Sequence, residues 1–183
     1  MHRSREATSF EVESLSSRPG DRGRYPTKDM TSTLQQFVRD LAALGGGVEA
    51  WAYDDGPPPC LTYPAAHPDV GPLLIYDDGD ELTVCLDQKH HSHIATYNYL
   101  QEPESERLNL VASEAADFVN DIFSGCVLFT VDYVGTECRG SSHVYLDENP
   151  KGVESLRVSI GLRGGNIRTE QYLWSGPYNP DVG

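Results

Sequence analysis

The chain has 183 residues and a formal net charge of −14, from 14 Lys+Arg against 28 Asp+Glu. Hydrophobic residues make up 38% and charged residues 23%, the usage of a globular chain rather than a disordered one. Such acidity excludes nucleic-acid binding by phosphate neutralisation and docking on an anionic membrane, and no apolar run approaches the ~20 residues that span a bilayer.

Residues 1–29 hold six basic side chains (Arg3, Arg5, Arg18, Arg22, Arg24, Lys28) and five acids (Glu6, Glu11, Glu13, Asp21, Asp29), with almost no apolar periodicity. They lack the apolar h-region of a secretory signal and read as a flexible extension, and Met30-Thr31-Ser32-Thr33 reads as a natural start. Subtracting them from the totals leaves 8 basic and 23 acidic residues, a net −15 on the remaining 154.

Thr31, Ser32 and Thr33 offer N-caps to a helix in which Leu34, Phe37, Val38, Leu41 and Leu44 recur at helical spacing, stopped by Gly45-Gly46-Gly47. Residues 48–53 read as a strand. Residues 57–70 carry five prolines and read as a long surface loop without regular structure. Residues 72–76 and 81–86 read as strands joined by the Asp77-Asp78-Gly79-Asp80 turn, an Asp-Gly hairpin signal, and a third strand returns from His91 to Tyr99.

A second helix is expected with Ser113 as N-cap, Glu114 and Asp117 at its positive end, and Gly125 just past its end. Its buried stripe is Ala115, Phe118, Val119, Ile122 and Phe123. Further strands read at 127–134, 142–146, 153–162 and 167–174, with a glycine turn at Gly164-Gly165-Asn166 and a frayed tail over 177–183. The expected fold is α+β, a largely antiparallel sheet of about seven strands with two main amphipathic helices, forming one domain over 30–176.

Cys60, Cys85, Cys126 and Cys138 show no CxxC spacing and read as reduced thiols of a cytosolic protein. In His90-His91-Ser92-His93, a strand would put His91 and His93 on one face about 6–7 Å apart. Such a pair would need a further ligand, such as Cys85, Asp87 or His67, to hold a metal. The plainer reading is a solvent-facing hairpin. His143 and Asp147 on one extended strand lie roughly 13 Å apart, too far to serve Cys138 in a triad. Neither a nucleophile elbow nor a phosphate-binding loop occurs, and the carboxylate clusters fall at turns, where Asp bonds its own backbone. No catalytic residue, cofactor or resident metal is expected.

The amphipathic opening Leu34-Gln35-Gln36-Phe37-Val38-Arg39-Asp40-Leu41, the helix from Ser113 to Gly125 and the β-rich acidic remainder resemble small acidic bacterial immunity proteins. Within that class the chain is similar to the immunity factors of NAD-hydrolysing toxins of the tuberculosis necrotizing type. The resemblance implies a cytosolic antidote, not an enzyme, that binds a cognate protein toxin and occludes its active site, so no catalytic residue carries over. An acidic antidote suits a toxin with a basic surface, through electrostatic steering.

A blocking element should be stiff at its base and narrow at its tip. The glycine turn and its flanks supply the first candidate, with Arg163, Gly164, Gly165, Asn166 and Arg168. The loop read at 136–142, with Arg139, is the second, and the acidic turn with Asp77, Asp78 and Asp80 is the third. Two other functions stay open: a metal-binding protein or metal-dependent enzyme built on the His90–His93 cluster, and an acidic interaction or chaperone-like domain without a toxin.

Overall fold

The structure is a computed structural model that describes residues 30–146 and 167–178. Helix α1, Ser32–Ala43, opens on Thr31, whose hydroxyl oxygen accepts the Leu34 N–H at 3.2 Å. Leu34, Phe37, Val38 and Leu41 form its buried side as the spacing predicts, but Leu44, placed in the same stripe, is the exposed C-cap where the helix ends.

The next five strands form an antiparallel meander in the order β1-β2-β3-β4-β5: β1 Ala52–Asp54, β2 Cys60–Tyr63, β3 Leu73–Asp77, β4 Glu81–Leu86 and β5 His90–Ala95. Leu73, Ile75 and Asp77 of β3 and Leu82, Val84 and Leu86 of β4 turn to the interior, the period-2 alternation of a sheet with one covered face. Strand β2 corrects the reading of 57–70 as irregular. Prolines 57–59 and 64 flank Cys60–Tyr63 and none lies within it, so four residues keep the N–H groups a ladder needs. The third strand of the hairpin stops at Ala95, and Thr96–Tyr99 form a 3-10 turn.

Helix α2 spans Glu104–Phe123, starting nine residues before Ser113, which therefore caps nothing. The Ser113 hydroxyl instead donates to Asp40 Oδ2 at 2.7 Å, a bond between the two helices. The longer helix has a physical basis in its first half. Glu104 and Glu106 sit in the first turn, where the dipole favours acids, and Val111 and Ala112 extend the buried stripe toward the N-terminus. Its end falls where expected, with Ser124 as C-cap and Gly125 at φ 73°.

A second antiparallel sheet follows in the order β7-β6-β8-β9: β6 Val127–Val134, β7 Glu137–Tyr145, β8 Ile167–Leu173 and β9 Gly176–Pro177. Val127 to Val131 are buried without alternation because β6 is covered on both faces. The α+β class holds, but the described residues divide nine strands between two sheets instead of placing about seven in one. Residues 137–142, read as part of a loop, are the first part of β7, which returns along β6 after a turn at Gly135 (φ 64°). Pro177 belongs to β9 and not to a frayed tail. The strand read at 153–162 lies outside the described residues.

An aromatic cluster joins these layers. Phe37 of α1 meets Trp51 at 5.7 Å between ring centroids, Tyr63 of β2 meets Phe123 of α2 at 4.8 Å, and Phe123 meets Trp174 at 5.4 Å. Edge and tilted geometries of this kind add to the apolar burial of large rings. Among the described residues no helix is long and apolar enough to cross a membrane.

Candidate functional site

The meander runs so that Asp54 at the end of β1 and Asp55 after it, the β3–β4 turn, and the chain leaving β5 all emerge at one end of the five-stranded sheet. Asp78 and Asp80 are exposed there. The turn is tied by Asp78 N–H to Glu81 O at 3.1 Å, and Thr96 N–H donates to Asp80 O at 2.9 Å. Glu81 Oε1 lies 2.9 Å from His93 Nδ1, and the Thr83 hydroxyl lies 3.1 Å from the same ring nitrogen.

Asp77 faces the other way, which removes it from the candidate docking residues. It is 6% exposed, and its carboxylate accepts the Gly79 N–H at 2.9 Å and the Thr31 hydroxyl. Thr31 in turn accepts the Leu34 N–H, so Asp77 anchors the start of α1 to the hairpin.

The described residues carry five Lys/Arg (Arg39, Lys89, Arg107, Arg139, Arg168) against nineteen Asp/Glu, and every one of the five is engaged inside the molecule. Arg139 pairs with Glu137 at 2.7 Å, and Lys89 lies 3.8 Å from Asp87 and 5.5 Å from the Tyr172 ring centroid. Arg168 pairs with Glu170 and stacks 4.8 Å from the centre of the Tyr133 ring. Arg39 donates to Gln36 Oε1 at 2.7 Å, and Arg107 donates to the Glu102 and Leu100 carbonyls at 3.0 and 3.3 Å. The β6 register places Arg139 and Arg168 at one end of the second sheet, on the strands flanking β6, apart from the acidic turn on the first sheet. Arg163, Gly164, Gly165 and Asn166 lie outside the described residues.

His91 and His93 share the outer face of β5, with ring centroids 5.1 Å apart. Among the described residues no three His, Cys, Asp or Glu side chains converge as a metal site. His90, two positions before Ser92 on the opposite face, is 8% exposed. Its Nδ1 lies 2.9 Å from Ser141 Oγ, and its Nε2 lies 3.0 Å from both Ser92 Oγ and His143 Nδ1. Ser141 and His143 belong to β7, so this cluster stitches the edge strands of the two sheets together. Burial, then the neighbouring His143 and His91, pull the His90 pKa down from 6.5 to about 4, and burial lowers that of His143. Two neutral rings fit the contact, one ring nitrogen donating and the other accepting between His90 and His143, with the serine hydroxyls able to take either role.

The sequence reading missed this pair. Alternation from Ile94 back through Ser92 was the signal that His90 turns inward, but nothing local marks His143 as its partner. The chain matches no protein-family model, no curated protein and no solved structure.

Proposed function

We propose that this chain is a cytosolic immunity protein, one that neutralises a cognate toxin enzyme by binding a basic surface and occluding the active site, with no chemistry of its own. One observation carries the reading: all five Lys/Arg of the described residues are satisfied internally, while exposed carboxylates such as Asp78 and Asp80 are left facing outward. A surface so arranged attracts a basic partner from a distance and offers it acceptors on contact. The resemblance to antidotes of NAD-hydrolysing toxins points to that enzyme class as the target. Four free cysteines support a reducing compartment.

The experiment is co-purification of the chain with the product of the adjacent gene, followed by association kinetics across a salt series. A stable complex that blocks the toxin's activity is expected, with an association rate that falls as the Debye length shrinks from about 10 Å at 0.1 M to about 3 Å at 1 M. A salt-independent association rate would remove electrostatic steering. Failure to form a complex would overturn the reading.

A further inference from the structure

Tyr97 and Leu100 are each 63% exposed, more than any other large hydrophobic side chain among the described residues. Single exposed apolar residues need no explanation, but these two occupy one element. Tyr97 lies in the 3-10 turn Thr96–Tyr99 and Leu100 is its C-cap. Three residues per turn bring positions i and i+3 to one side, so the two side chains rise from the same face.

The element is also fastened at both ends. Thr96 N–H is held by Asp80 O at 2.9 Å, Glu102 N–H by Tyr99 O at 2.9 Å, and the Leu100 carbonyl by Arg107 at 3.3 Å. The Tyr99 hydroxyl donates to Glu114 of α2. An exposed aromatic on a fixed turn loses little conformational freedom on binding, the property of an interface anchor.

The bond from Thr96 to Asp80 joins this turn to the acidic end of the sheet, with exposed Asp78 and Asp80 on one flank and exposed Glu102 on the other. Arg107, the nearby cation, is turned back onto the Leu100 and Glu102 carbonyls, and its single charge is outnumbered by the three acids. An apolar centre with a net acidic rim fits a Lys/Arg-bearing protein surface. A second copy of this chain, itself at net −14, fits it poorly.

We infer that the partner docks on this corner, with Tyr97 and Leu100 as apolar anchors and Asp78 and Asp80 receiving its Lys or Arg side chains. The inference rests on the proposed function for the class of partner, and locates the surface independently of which toxin it is.

The test uses the full chain and a labelled amphipathic peptide with a leucine face and an arginine-lysine face, followed by fluorescence anisotropy and amide chemical-shift mapping at low ionic strength. Binding should shift the amides of Asp78, Asp80, Tyr97 and Leu100. The double variants Tyr97→Ser/Leu100→Ser and Asp78→Asn/Asp80→Asn should each weaken it about tenfold or more. The control Glu49→Gln/Asp69→Asn, two exposed acids near the opposite end of the sheet, should leave it within about twofold. Circular dichroism of every variant separates lost contact from lost fold.

Peptide binding that the control weakens as much as the corner variants would overturn the corner and leave the acidic-antidote reading standing. No binding of the peptide at all would overturn the stated partner chemistry. Self-association of the wild type that Tyr97→Ser/Leu100→Ser abolishes would assign the corner to a second copy and overturn the inference as well.

Discussion

His90 Nε2 stands 3.0 Å from His143 Nδ1, a contact between residues 53 apart in the chain that closes the edge of one sheet onto the edge of the other. The pair makes stability depend on pH. The folded-state pKa of His90, about 4, lies below its ordinary 6.5, so the unfolded chain takes up this proton first as pH falls. The contribution is complete above pH 6.5, is lost progressively between 6.5 and about 4, and is absent below that. The loss should be on the order of 3 kcal/mol, measured by urea unfolding across that window. His90→Gln keeps hydrogen bonding without titrating and should flatten the profile relative to wild type. Parallel profiles for the two proteins would place the titration elsewhere.

The Asp77–Thr31 bond predicts a coupled pair. Thr31→Ala removes the N-cap of α1 and should cost about 1 kcal/mol. Asp77→Ala also leaves the Gly79 N–H without its acceptor and should cost about 2 kcal/mol. In the double variant the losses should sum to less than their parts, because both act on one chain of hydrogen bonds. Additive losses in chemical unfolding would show the two residues to be independent.

Thr130 lies in β6 at 3% exposure, and its hydroxyl has no hydrogen-bond partner among the described residues. Thr130→Val replaces that hydroxyl with a methyl group of similar size, so the variant should be more stable by about 1 kcal/mol. A lower melting temperature would mean that the hydroxyl has a partner in solution.

The thiols should separate by reactivity. Burial pushes the Cys60 thiol up and the Cys85 thiol to about 11, which suppresses the thiolate at neutral pH, while Cys138 is exposed. Iodoacetamide at pH 8 should therefore label Cys138 first, with Cys60 and Cys85 protected until the protein unfolds. Mass spectrometry of timed aliquots reads the order directly, and early labelling of Cys85, which is half-buried, would contradict the raised pKa of its thiol.

Of the three candidate partner-contact arginines, the two among the described residues should matter little to the fold. Arg139 and Arg168 are more than half exposed, and their ion pairs with Glu137 and Glu170 lie at the surface, where such pairs contribute about 0–1 kcal/mol. Arg139→Ala should leave the melting temperature within a few degrees of wild type. A larger fall would show that β7 needs that side chain for pairing.

What was legible in the sequence was local. The Thr31 cap and the stripe from Leu34 to Leu41, the Asp-Gly hairpin at 77–80 and the stop at Gly125 each depend on residues within a few positions of one another. Backbone geometry ties those residue types to those conformations wherever they occur. The proline count at 57–70 misled because position, not number, decides whether a strand keeps its N–H groups.

Tertiary structure alone decided the rest. Ser113 reads as a cap until Val111 and Ala112 are seen to pack, and Asp77 reads as a turn acid until Thr31 arrives from 46 residues away. The separation into two sheets and the His90–His143 closure are likewise settled by which apolar faces meet. Periodicity records that a side chain turns inward but carries no information about the residue it will find there, because that choice is made by the packing of the whole core.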